Sequence, residues 1–312
     1  MKFILPFFFL LILAPVYAQR VKPLLHLAKG ETYYMSSSGT SAITQNIRGR
    51  ENKINITLSF RMAFKVASIT DTVYHMEVCY ESINMKIHTE DTTINISSLQ
   101  KVASGEKKIK PDTASLLMAA MVNKPFDIAL TAQGKVLWVK NLDKIIGGVF
   151  YNFQIPDTSK KELIKSRFIQ SFGENAFRGS LEMGTAIFPN NAVAKNDKWT
   201  VNSGLSVPAK ANVKTVYQLT DITADILQVH GEGVITTDAV AKSGDINGMP
   251  VVYNLNGGMM TDIKIDKKTG WINQVTLKQL IAGEVDIMDN PKMPGGMTIP
   301  MMFSAEVGIT NK

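Results

Sequence analysis

From Ile54 to Val66 the chain alternates. Ile54, Ile56, Leu58, Phe60, Met62, Phe64 and Val66 are apolar, while Asn55, Thr57, Ser59, Arg61 and Lys65 between them are polar and Ala63 is neutral. Successive strand side chains point to opposite faces, so this period predicts one long strand with a dry face and a wet face. At about 3.3 Å per residue, residues 54–66 reach roughly 43 Å, well beyond an ordinary strand. Strands of that length belong to large, curved antiparallel sheets.

A turn at Thr70-Asp71-Thr72 leads into a hairpin partner in which Tyr74, Met76, Val78 and Tyr80 alternate with His75, Glu77, Cys79 and Glu81. The apolar phase then slips by one, to Ile83, Met85 and Ile87, which predicts a bulge near Glu81-Ser82 and a bent strand. Helices are few. Pro111 to Asn123 has a Pro-Asp opening and Ala114, Leu117, Met118 and Met121 at helical spacing, so it reads as a buried cover helix. Ser159-Lys160-Lys161-Glu162 is a capping-box pattern ahead of Leu163, Ile164, Phe168, Ile169 and Phe172, with Gly173 interrupting, and a shorter helix is expected over Asn141 to Tyr151. Strands return from Asp197, with Val251 to Leu255 and Met260 to Asp266 separated by a turn signal at Asn256-Gly257-Gly258.

The expected class is therefore mainly β with a few helices (α+β), built on a large curved antiparallel sheet, half-barrel-like. Short similarities suggest two related halves: Gly30-Glu31-Thr32-Tyr33 with Asp197-Lys198-Trp199-Thr200, Phe64 to Ile69 with Tyr217 to Ile222, and Asp127 to Thr131 before Gly134 with Asp262 to Asp266 before Gly270. The division this implies is a β-rich half with cover helices over 19–183 and a second β-rich half over 184–312.

The first eighteen residues read separately. Met1-Lys2, the apolar run Phe3 to Ala14 and the exit Val16-Tyr17-Ala18 form a signal-peptide pattern whose apolar core is too short to span a bilayer. No cysteine follows the cleavage point to take an acyl anchor, so a periplasmic or secreted mature chain is expected. Its single cysteine, Cys79, cannot form an internal disulfide, and stability must come from packing. The formal net charge of +7 is carried by scattered basic residues without interleaved aromatics, which argues against a nucleic-acid partner.

Several stretches resemble an uncharacterised family of secreted β-rich proteins of Bacteroidota, domain of unknown function 6263. They are Tyr74-His75-Met76-Glu77-Val78 with Tyr80-Glu81 and Met85-Lys86; Asn123-Lys124-Pro125-Phe126; Gly134-Lys135-Val136; Phe172-Gly173-Glu174 with Ala176, Gly179 and Leu181-Glu182; and Asp197-Lys198-Trp199. The resemblance brings no activity and no catalytic residue to carry over. The pattern also resembles, at the level of architecture, half-barrel carriers of the lipoprotein-chaperone type, in which helices cover the concave side of a curved sheet and acyl chains lie between. A fold does not fix a function.

Chemistry finds little support in the residues. His75, Glu77 and Cys79 fall at i, i+2 and i+4 of one strand, but side chains in that arrangement run parallel and do not converge on a metal. There is no H-x-x-x-H zinc arrangement, no G-x-S-x-G nucleophile elbow, no phosphate loop and no Rossmann fingerprint. No catalytic residue, metal or cofactor is expected, and the chain is not read as an enzyme. Met293 to Met302 reads as an irregular Met-Pro loop suited to apolar contact. Two functions remain open. One is an envelope carrier whose apolar sheet face, with Phe60, Met62, Phe64, Tyr74, Met76 and Tyr80, lines a pocket for a lipid or other apolar ligand; in the bland version of this face, the same residues are a filled core beneath the helix Pro111 to Asn123. The other is a structural or interaction protein of the envelope with no small-molecule ligand, contacting a partner through sheet edges or the Met-Pro loop.

Overall fold

A computed structural model describes residues 19–99, 113–152, 157–205, 211–237, 244–246 and 248–312. The signal-peptide pattern at 1–18 and the Pro-Asp opening of the first expected helix lie outside them. The chain runs β1 (Thr32–Ile47), β2 (Arg50–Thr70), β3 (Val73–His88), β4 (Thr93–Ser97), α1 (Thr113–Met121), β5 (Phe126–Thr131), β6 (Val136–Lys140), α2 (Leu142–Asn152), α3 (Thr158–Phe172), α4 (Glu174–Thr185), β7 (Lys198–Leu205), β8 (Ala211–Ile222), β9 (Ile226–Thr237), β10 (Gly244–Ile246), β11 (Met249–Asp266), β12 (Ile272–Ile287) and β13 (Met297–Thr310).

All thirteen strands join one antiparallel sheet in the order β6-β5-β3-β2-β1-β13-β12-β11-β9-β8-β7, with β4 beside β3 and β10 beside β11. Apart from the β1–β13 contact, neighbours along this path follow one another in the chain, with only β4 and α1 intervening between β3 and β5 and β10 between β9 and β11. The order is that of an up-and-down barrel left open between β6 and β7, and α2, α3 and α4 are the segments that connect those two edges. The expected mainly β fold with a large, open, curved sheet is the one found.

Curvature has local causes. Arg61 pairs with Ser82 and Met62 with Tyr80, so Glu81 is the extra residue of a bulge where the phase slip placed it, and Arg61 Nε donates to its Oε2 at 2.6 Å. A second bulge lies between Val66 and Ser68, and its counterpart lies between Leu219 and Asp221. Gly30 N donates to Val66 O at 2.8 Å while Asn196 N donates to Leu219 O at 2.6 Å, and Gly30 and Asn196 both have positive φ. This geometry sets Gly30-Glu31-Thr32-Tyr33 against Asn196-Asp197-Lys198-Trp199, one residue away from the sequence alignment.

Three expectations need correction. β11 is continuous through Asn256-Gly257-Gly258. Gly257 marks a close approach of two strands, because a Cβ there would lie 2.1 Å from Leu280 O. The Met-Pro segment is irregular only up to Gly296 and then becomes β13, with Met293, Met297 and Met301 packed beside Val251, Val285 and Ile287. Finally, Gly173 separates two helices and does not end the helical region, since α4 follows directly.

The main core gathers at the end of the sheet where the chain enters β1 and β7. Phe64, Val66, Met76, Val78, Leu219, Ile263 and Trp271 pack there with Leu25 and Leu27 from the N-terminal segment. Tyr74 Oη donates to Leu25 O at 2.7 Å and ties that segment down.

Candidate functional site

The inward face of β1 changes character along its length. Met35 is apolar, Ser37, Gly39 and Ser41 are small, and Ile43 is apolar again. Ser41 pairs with Ala305 of β13 on one side and with Ile56 of β2 on the other, and Gly39 pairs with Val307 and Leu58. Small residues therefore meet at the middle of the sheet. Above them, α4 carries Ala176, Ser180 and Gly184 four residues apart, one face of a helix that is equally short of side-chain bulk. Two shallow surfaces face each other and leave a cavity of about 340 Å³, whose wall includes all of these residues except Ile43, together with Phe60, Met62, Tyr80, Ile83, Phe172, Phe177, Thr261, Val275, Leu277 and Gln279.

The roof is fixed at both ends. Asp143, in the first turn of α2, accepts from Glu174 N at 2.9 Å and so satisfies an orphan amide at the N-terminus of α4. At the other end Thr185 Oγ1 donates to Gly134 O at 2.7 Å, and Glu182 Oε1 accepts from Val136 N at 2.8 Å. Gly134 has φ +76°, and a Cβ there would lie 1.9 Å from Thr185 O. Phe177 meets Phe126 edge to face at 4.9 Å between ring centroids.

Among the described residues the wall holds no Asp, Glu, Lys, Arg or His. Its polar groups are serine, threonine, tyrosine and glutamine side chains and the peptide backbone. Burial pushes the Tyr80 phenol far above its ordinary value, so it stays protonated.

Of the six residues expected to line a pocket, Phe60, Met62 and Tyr80 are in the cavity wall. Phe64, Tyr74 and Met76 are buried in the packed core nearer the β1 entry. Ser37, Gly39, Ser41, Thr261 and the small face of α4 were missed. The available signal was the serine-glycine break in the alternation of β1 and the four-residue spacing Ala176, Ser180, Gly184.

His75, Glu77 and Cys79 stand in a row on the face of β3 opposite to buried Tyr74, Met76, Val78 and Tyr80. His75 lies against Trp138, with ring centroids 5.8 Å apart, and Glu77 is exposed. Burial, with Glu81 and Glu77 nearby, pushes the Cys79 thiol up, which disfavours the reactive thiolate. Among the described residues no group of three or more His, Cys, Asp or Glu side chains is placed to hold a metal ion. No helix among them is long and apolar enough to cross a membrane.

Residues 71–272 match a family of unknown function, DUF6263. No curated protein matches the chain in sequence. A structure of lipovitellin, concerned with its lipid–protein interactions, is similar over 92% of this chain at 9% identity with a TM-score of 0.49; the chain spans only 25% of the lipovitellin chain. An outer membrane channel from Pseudomonas putida F1 aligns at 8% identity and TM-score 0.22 over 91% of this chain and 97% of its own. OpdQ of Pseudomonas aeruginosa aligns at 7% identity and TM-score 0.17 over 89% and 98%.

Proposed function

We propose that this chain, which belongs to the family of unknown function DUF6263, is a non-catalytic binding or carrier protein of the cell envelope that holds one chain of a lipid or another apolar ligand. One observation carries the reading: an uncharged, mostly apolar cavity of about 340 Å³ lies against the concave face of the sheet. Ligand pockets run from about 300 to 1,000 Å³, and a volume at the low end suits a single hydrocarbon chain better than a whole two-tailed lipid. Hydrophobic transfer supplies the affinity, because each methylene buried between Phe60, Leu277 and Phe177 leaves water. Export rests on the Met1 to Ala18 pattern. The mechanism is sequestration, and the His75, Glu77, Cys79 row lies outside the cavity.

The test is a fluorescence titration of the mature chain with the neutral apolar probe N-phenyl-1-naphthylamine. We expect saturable binding that drops at least tenfold in the double variant Ser41→Leu, Ala305→Leu, which fills the floor between β1 and β13. Absence of saturable binding by folded protein, or binding indifferent to that variant, overturns the reading.

A second reading, an interaction protein of the envelope without a small ligand, draws on the convex face. Val234, Met260, Leu280 and Met302 are exposed there on neighbouring strands. It gains if the probe fails to bind while substitution of these four by Ser abolishes self-association or partner capture.

A further inference from the structure

We propose that the cavity selects an uncharged ligand whose apolar chain carries a hydrogen-bonding oxygen group, an alcohol or an ester, and that Ser37, Tyr80 and Thr261 are the residues that recognise it. This deepens the reading of the cavity as a binding site and rests on it. Ser37 is 7% exposed, Tyr80 7% and Thr261 3%, and all three belong to the cavity wall. None of the three hydroxyls is a sealed-off unpaired atom, since among the described residues only Arg178 Nε is one, and as members of the cavity wall they present their oxygens to its space. Hydroxyls can donate and accept, so they match an alcohol, an ester or a carbonyl oxygen equally well.

Their positions spread the recognition around the floor. Tyr80 is on β3, Ser37 on β1 and Thr261 on β11, with β13 and β12 between the last two. A chain lying across the concave face passes each of them in turn. Charge gives the second half of the selectivity. With no ionisable group but the protonated Tyr80 phenol among the described residues of the wall, an ionised carboxylate or ammonium would lose its hydration without meeting a counter-charge. The site therefore favours neutral oxygenated chains over free fatty-acid anions and over phosphorylated headgroups.

Displacement of N-phenyl-1-naphthylamine from the mature protein tests this with four ligands of one chain length: a linear alkane, its terminal alcohol, the methyl ester, and the carboxylate at pH 9. The measured quantity is the ratio of alcohol or ester affinity to alkane affinity. That ratio falls about three- to tenfold in each of Ser37→Ala, Tyr80→Phe and Thr261→Val, with the melting temperature of each variant certifying its fold. The carboxylate competes more weakly than the alcohol. An unchanged ratio in all three variants, or a carboxylate that outcompetes the alcohol, overturns the inference and leaves the carrier reading standing. A probe that never binds the wild-type chain overturns both.

Discussion

At the scale of single residues, the outward face of β9 and β11 carries a pH-sensitive contact. His230 on β9 faces its cross-strand partner Asp262, with Nδ1 2.7 Å from Oδ1, and Glu232 lies 3.6 Å from Nε2. The Asp262 hydrogen bond raises the imidazole above its ordinary value of 6.5, with Glu232 adding to it and partial burial opposing. A folded-state value above the unfolded one means that the imidazolium stabilises the fold. That contribution is complete below about pH 6.5 and is lost as pH rises through the raised folded-state value. Both carboxylates are well exposed, so the effect is modest, under about 1 kcal/mol. Melting temperatures measured across this pH window should decline more in the wild type than in His230→Gln, and equal slopes would show that the contact contributes nothing.

At the scale of elements, α4 decides whether the cavity has a roof. Its C-terminal turn sits on the β5–β6 hairpin through the Thr185 hydrogen bond to Gly134, whose positive φ and missing Cβ both accommodate that approach. Gly134→Ala combines left-handed backbone strain, about 1–3 kcal/mol for a non-glycine residue, with a steric collision, so a loss of about 3 kcal/mol or more is expected. Gly179 is the internal control. It lies within the same helix with open space where a Cβ would stand, so Gly179→Ala should gain about 0.5–1 kcal/mol. Denaturant midpoints read both, and a neutral Gly134→Ala would mean that α4 is not seated as described. This element was also the hardest to read in the sequence. Gly173 looks like a terminator because the i→i−4 pattern ahead of it stops there. What marks the second helix is Glu174 in its first turn and the pair Phe177 and Leu181, a faint apolar stripe on a helix whose inward side is largely small residues.

At the scale of the molecule, the same physics explains which parts were legible. β2 and β3 announce themselves because their inward residues are large and apolar, and the phase slip at Glu81 even shows where the sheet bends. β1 is as long as β3, yet its inward positions read Ser37, Gly39, Ser41, so the alternation that signals a strand fades where the cavity floor lies. A packed core needs bulk and so writes a strong pattern; a cavity is made by leaving bulk out, and its pattern is correspondingly weak. For that reason the sequence pointed to Phe64, Tyr74 and Met76, which fill the core, as readily as to Phe60, Met62 and Tyr80, which face the space. The continuous β11 was divided for a similar reason, because Gly257 yields to the Leu280 carbonyl and a glycine pair beside asparagine looks like a turn. The whole assembly, an up-and-down sheet with helices between its two free edges, leaves one uncharged chamber where small residues of β1, β13 and α4 meet.

Native mass spectrometry of the mature chain, purified without denaturant or detergent, puts that chamber to the most direct test. The account predicts a neutral adduct of lipid mass on the wild-type protein, released by organic extraction and missing from Ser41→Leu, Ala305→Leu. A bare-chain mass that persists after incubation with a whole-envelope lipid extract would contradict it.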